Sequence, residues 1–221
     1  MFQVAQNVPA QNSYKNESKS AEYDIVILIN GIPLVLIELK KRSLDKGLDK
    51  AFKQVEDYFP KLKQQGLFKC IELFIISNGT DTQYFSNQDA GKSKELNKFC
   101  FGWSDENNNK RNEIMEFIPE FLQRCHLALF LFFFLVHHEK NQKLMVAKPH
   151  QFHTIKKIVE FTKKEITQES PLNVTNNIKK KNSHIWHTTG SGKTLTAFLL
   201  CRYLKKFISI NETQKNIIVF L

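Results

Sequence analysis

Asn30-Gly31 lies between two β-rich runs, Tyr23 to Ile29 and Ile32 to Lys40, in a chain of 221 residues. An Asn-Gly pair in that setting is the strongest short-range signal for a tight hairpin. The turns that match the twist of paired strands need positive φ at their centre, and Asn and Gly supply it most readily. With the loop taken as Asn30 to Ile32, Ile29 faces Pro33 and Asp24 faces Glu38. The strand period of two then sets Lys40 on the same face as Glu38, one pleat along. Pro33 is tolerable at the start of the second strand, where its missing donor can face outward.

Asp24, Glu38 and Lys40 thereby converge at the open end of an otherwise apolar hairpin. Charges gathered in this way are costly unless compensated, and a divalent cation is a natural compensator. Two carboxylates can hold Mg²⁺ through oxygens and leave positions for waters and a phosphate oxygen. A lysine beside them can orient the attacking water, so the trio suits phosphodiester hydrolysis. The residues alone leave a second reading open: strand-end charges emerging into solvent, with Glu38 a paired surface acid.

Downstream, Leu48, Ala51, Phe52, Val55 and Phe59 form one helical stripe between Leu44 and Phe59. Gln54 and Tyr58 are four apart and share a face with each other, which on spacing alone also suits a helix surface pair. Ile71 to Ser77 reads as a buried strand ending in the turn Asn78-Gly79. Hairpin, helix and strand in that order give an α/β arrangement.

The second strong signal is His187-Thr-Thr-Gly-Ser-Gly-Lys-Thr194. It follows the phosphate-loop pattern G-x-x-x-x-G-K-[ST] except that His187 replaces the first glycine. Backbone N–H groups of such a loop close on phosphate oxygens, the lysine reaches the outer phosphates and the threonine takes Mg²⁺. His184-Ile185-Trp186 is the expected entering strand, and Leu195, Phe198, Leu199, Tyr203, Leu204 and Phe207 have helical spacing. That order puts a helix N-terminus against the phosphates. Asn216 to Leu221 reads as the following strand.

Composition narrows the partners. The net charge of +10, from 32 Lys+Arg against 22 Asp+Glu, suits a polyanion such as nucleic acid; a biased genome composition would give the same balance. Four cysteines without metal-ligand spacing are expected as buried thiols in a reducing, cytoplasmic setting. Met1 to Ser20 lacks the apolar core of a signal peptide. The apolar run Leu127 to Val136 is about half the roughly 20 residues needed to span a bilayer, so it is expected in the core.

Taken together, the chain resembles the N-terminal part of the R (restriction) subunit of type I restriction-modification enzymes. The matching pieces are Asp24 to Lys40, Ala51 to Tyr58, Ile76 to Thr80, Leu144 to Phe152 and Ile185 to Thr196. The resemblance implies an α/β chain: a restriction-endonuclease-like PD-(D/E)-x-K domain over 1–145, including a helical connection, then the start of a RecA-like motor lobe over 146–221. Asp24, Glu38 and Lys40 take the nuclease signature, with Asp24 and Glu38 holding Mg²⁺. Gln54 and Tyr58 take the Q-x-x-x-Y element of RecB-type nucleases. For ATP, Gln151 falls where such motors read adenine. Thr188, Thr189, Gly190, Ser191, Gly192, Lys193 and Thr194 bind phosphates, Thr194 also binding Mg²⁺. The implied partners are DNA, the methyltransferase (M) and specificity (S) subunits, and a separately encoded remainder of the R subunit; a membrane is not among them.

Three departures from the family pattern shape the expectations. Tyr23 stands where a proline often precedes the first aspartate, few residues precede Asp24, and the later motor motifs are missing. The sequence therefore reads as part of a split or decayed gene, inactive alone. A stand-alone Mg²⁺-dependent nuclease and a non-enzymatic DNA- or nucleotide-binding remnant remain as alternatives.

Overall fold

The computed structural model describes residues 1–9, 22–62, 66–87, 99–141, 143–168, 185–207, 209–210 and 213–214. It divides into two compact units, Met1–Val146 and Ala147–Leu221.

The first unit is mixed α/β, built on a five-stranded sheet. Its strands are β1 (Phe2–Pro9), β2 (Glu22–Ile29), β3 (Ile32–Leu39), β4 (Leu73–Ser77) and β5 (Thr82–Ser86), side by side in sequence order. Only the β3–β4 pairing is parallel, as expected where helix α1 (Gly47–Leu62) intervenes. β1 is the element the sequence did not announce: the alternation of Phe2, Val4 and Val8 is broken at Gln6, and the strand is held as the sheet edge by pairing with β2.

The turn is tighter than expected. Asn30 and Gly31 have φ of 51° and 81°, and Ile29 pairs with Ile32, so the loop holds two residues rather than three. The ladder then shifts between Ile27 and Leu28, where Leu34 is the extra residue on β3. Beyond this bulge Ile25 pairs with Ile37, which continues to Asp24 opposite Glu38. The surplus residue sits in β3 instead of the turn, and the register at the open end is unchanged.

α1 lays Ala51, Phe52, Val55, Phe59 and Leu62 on the sheet face formed by Tyr23, Val26, Leu36, Phe74, Ile76 and Phe85. Phe74 stacks on Phe85 at 5.5 Å, and Phe59 meets Phe74 edge-on at 5.1 Å. Each such fully buried aromatic contributes roughly 1.5–3 kcal/mol by leaving water. The start of α1 passes close to the strand ends: a Cβ on Gly47 would lie 3.2 Å from Asn78 Cβ and 3.6 Å from Lys40 Cβ.

A second aromatic cluster joins Tyr84 and Trp103 to Phe121 of α2 (Ile114–Phe121) and Phe130 of α3 (Arg124–Phe133). The apolar run at Leu127 to Val136 becomes the end of α3 and the start of β6 (Leu135–His138), which pairs with β7 (Lys143–Val146). Its residues Leu127, Phe130, Leu131, Phe134 and Leu135 are buried. Among the described residues no helix is long and apolar enough to cross a membrane. The cysteines depart from expectation: Cys70, Cys100 and Cys201 are half-buried and Cys125 is exposed, with Cys100 packed at the margin of the first core.

The second unit contains α4 (Pro149–Gln168), α5 (Lys193–Phe207) and a short β8–β9 ribbon (Ser209–Ile210, Thr213–Gln214). Residues 185–188 form no strand, so Ile185 and Trp186 do not provide the entering strand expected there; Ser183, His184 and Asn216 to Leu221 lie outside the described residues.

Candidate active site and phosphate loop

Glu38 is fully buried near the end of β3, on the face that meets α1. Its Oε1 accepts from Lys40 Nζ at 2.5 Å, and its Oε2 accepts from the Tyr58 hydroxyl at 3.2 Å. Lys40 Nζ also donates to Gln54 Oε1 at 2.5 Å, and Gln54 Nε2 is hydrogen-bonded to Tyr58 Oη. Glu38, Lys40, Gln54 and Tyr58 therefore form a closed ring between strand and helix. Period two in β3 and period four in α1 bring the pairs together, as their spacing implied.

Asp24 completes the cluster from β2. Its Oδ2 accepts the Leu39 N–H at 2.7 Å, which ties it to the backbone between Glu38 and Lys40. Lys40 N in turn donates to Ser77 O at 2.8 Å, so the strand end is clamped on both sides.

Burial pushes the Glu38 carboxyl above its ordinary range; the Lys40 hydrogen bond opposes this and the charge of Asp24 adds to it. Burial also raises the Tyr58 phenol, which keeps it a donor. Two carboxylates that repel each other, one of them out of water, form an oxygen-donor pair suited to a hard cation. A divalent ion would relieve both penalties, so the residues fit Mg²⁺. Among the described residues no group of three or more His, Cys, Asp or Glu side chains has metal-binding geometry, so water and substrate oxygens would complete the coordination.

In the second unit the loop before α5 is shaped by glycines. Gly190 and Gly192 have φ of 77° and 89°, a region L side chains rarely enter. A Cβ at Gly192 would lie 2.6 Å from Gln151 Nε2. Thr188, Thr189, Gly190, Lys193 and Thr194 are exposed, while Ser191 and Gly192 are half-buried. Thr196 N donates to Gly192 O at 3.0 Å and opens the helical ladder, and the N–H groups ahead of it form an anion-ready terminus.

Gln151 is almost wholly buried, and both ends of its carboxamide are engaged. Oε1 accepts from Lys148 N at 2.9 Å and Nε2 donates to Gly192 O at 3.1 Å. In this conformation it serves the loop, and each end of the carboxamide keeps one further position, an N–H and an oxygen lone pair. Beside it, His150 Nε2 lies 3.1 Å from Ser191 O, and His187 Nδ1 lies 3.1 Å from Ser191 Oγ. Burial lowers the His187 pKa, with His150 and Lys193 contributing. His150 was not foreseen; its only signal was adjacency to Gln151 in the first turn of α4.

Comparisons with known proteins find matches in both units. Residues 1–93 match the family model described as type I restriction enzyme R protein N terminus, and residues 150–221 match that of SWI2/SNF2 ATPase. The chain is 40% identical to the type I restriction enzyme SsaAORF53P endonuclease subunit of Staphylococcus saprophyticus, over 93% of this chain and 19% of that protein. It is 36% identical to the EcoprrI endonuclease subunit of Escherichia coli, over 66% of this chain and 46% of that protein. A putative type I restriction enzyme endonuclease subunit of Methanocaldococcus jannaschii, MjaIXP, is 25% identical over the whole chain and 21% of its own length. The chain spans about a fifth of the length of the staphylococcal relatives it matches. Over these spans it is similar to the N-terminal section of type I restriction enzyme endonuclease subunits.

Proposed function

We propose that this chain belongs to the type I restriction R-subunit family and carries the DNA-cleaving site of such an enzyme and the phosphate loop of its ATP-driven motor. The observation that carries the first part is the closed ring of Glu38, Lys40, Gln54 and Tyr58 with Asp24 tied to the intervening backbone. Asp24 and Glu38 would hold Mg²⁺, which when bound lowers the pKa of its water and stabilises charge on the phosphorus. Lys40 donates to the attacking water or a phosphate oxygen, its ammonium already restrained by Gln54. Tyr58 donates to Glu38 Oε2, which keeps that carboxylate's orientation fixed when Oε1 leaves the lysine. The substrate would be duplex DNA, for which the excess of basic residues provides a favourable field.

In the second unit, exposed Lys193 and the N–H groups of residues 190–194 would receive ATP phosphates, with Thr194 beside the nucleotide's Mg²⁺. A nuclease unit over 1–145 and the start of a RecA-like lobe over 146–221 describe the organisation. The family relation supports M and S subunits as the partners with which DNA would be translocated and cut.

Calorimetric titration of Mg²⁺ or Mn²⁺ into the whole chain tests the first site. Asp24→Ala and Glu38→Ala are expected to abolish ion binding at this site, while Lys40→Ala retains the ion and removes cleavage in the reconstituted enzyme. Equal ion affinity in the wild type and Glu38→Ala would refute the assignment.

A further inference from the structure

The carbonyl of Ser191 is held by a side chain from α4, which has a geometric consequence for the loop. A carbonyl oxygen only accepts, so His150 Nε2 must carry the hydrogen in this 3.1 Å contact. In a planar trans peptide the C=O and the N–H of the next residue point in opposite directions. Fixing Ser191 O toward His150 therefore fixes the Gly192 N–H away from α4. The same logic applies one residue on: Gly192 O accepts from Gln151 Nε2 and from Thr196 N, which turns the Lys193 N–H the same way. The helix itself secures Gly192 O, whereas Ser191 O precedes the helical ladder and is gripped by His150.

We propose that His150 is a positioning residue for the phosphate loop, aiming the Gly192 N–H at a nucleotide phosphate through the Ser191 carbonyl. His187 supports the same residue from the other side, its Nδ1 3.1 Å from Ser191 Oγ and its ring 5.8 Å from that of His150. Gly192 at φ 89° has no side-chain torsion or Cβ contact to hold its orientation, so an external grip on the preceding peptide supplies what the residue lacks. The inference rests on the nucleotide-binding reading and adds a residue to it that does not itself touch the ligand.

Calorimetry with Mg-ATP on the whole chain tests this, using His150→Phe, which keeps a ring without a donor, and His150→Gln, whose amide restores an N–H at similar reach. His150→Phe should weaken binding by about 10-fold or more, the scale of one hydrogen bond to a charged group, and His150→Gln should stay within about threefold of wild type. Long-range ¹H–¹⁵N spectra of the wild type should show a hydrogen on His150 Nε2, a readout that needs no variant to fold. Wild-type affinity in His150→Phe, equal losses in both variants, or the Nδ1–H tautomer would each overturn the proposal. Lys193→Ala separates the levels: if it binds Mg-ATP as well as wild type, the nucleotide-binding reading itself falls; if it loses binding while His150→Phe does not, only the role of His150 falls.

Discussion

The two candidate sites are held in opposite ways. At the end of the hairpin the polar groups satisfy one another: Glu38 is buried, and Lys40, Gln54 and Tyr58 close a ring around it. At the phosphate loop the groups that would meet a ligand, Lys193 and Thr194 among them, stand in solvent, and the grip comes from behind through His150 and Gln151. The first arrangement makes the site part of the core, so damage to it is damage to the fold. The second separates the binding surface from its support, so the surface can change without cost to the fold. Substitutions in the two places should therefore differ in what they move, and that is measurable.

The largest effect is expected at Tyr58. Its ring packs edge-on against Tyr23 at 4.9 Å while its hydroxyl serves Glu38, so it belongs to the core and to the site together. Tyr58→Ala opens a cavity and strips a buried carboxylate of a donor, for an expected loss of about 3–5 kcal/mol in the first unit. Tyr58→Phe retains the packing and should cost about 1–2 kcal/mol. Buried Trp103 reports unfolding of this unit once exposed Trp186 is replaced by Phe. If Tyr58→Ala unfolds no more easily than Tyr58→Phe, the site is not integral to the core and the contrast between the regions fails.

Glu38→Gln should move stability the other way, and by less. Because burial raises the native pKa of Glu38 above 4.5, the native state binds the proton more tightly than the unfolded chain. Wild-type stability therefore falls as pH rises from the unfolded value through the raised native one, and the deficit remains above it. Glutamine keeps an acceptor for Lys40 without the buried charge, so the variant should unfold later than wild type at pH 7–8 and match it near pH 4. A variant less stable than wild type at pH 8, or one whose advantage grows in acid, would show that the ion pair with Lys40 outweighs the burial of the charge.

These residues also show how far the sequence could be read. Asp24, Glu38 and Lys40 were legible because Asn30-Gly31 fixes a hairpin and strands have a rigid period of two. The turn was nevertheless misjudged by one residue, and the site survived because the bulge at Leu34 absorbs that residue on the same strand. Gln54 and Tyr58 were placed on one helix face by their spacing. Their contacts with Lys40 and Glu38 depend on how α1 crosses the sheet, which no local pattern encodes. β1 was silent because an edge strand that leaves most residues in solvent tolerates a polar residue, Gln6, in the midst of its apolar alternation. His150 was silent for another reason: its partner is a backbone oxygen 41 residues away, and a carbonyl has no sequence signature.

The smallest expected effect on stability is at Lys193, where the contrast is sharpest. Lys193 opens α5 with its side chain exposed, and a cation in a first helical turn opposes the positive end of the helix dipole. Lys193→Ala removes that opposition and introduces a stronger helix former, while no core contact is lost. The stability of the second unit should change by no more than about 0.5 kcal/mol, in the stabilising direction if at all. Mg-ATP binding should nevertheless be lost, because among the described residues no carboxylate pairs with this ammonium and its charge is open to a ligand. Differential scanning calorimetry of the whole chain, with nucleotide absent and then present, reads both quantities on one sample. Unfolding several degrees below wild type without nucleotide would mean that Lys193 holds the loop together, and that the second site, like the first, is integral to its fold.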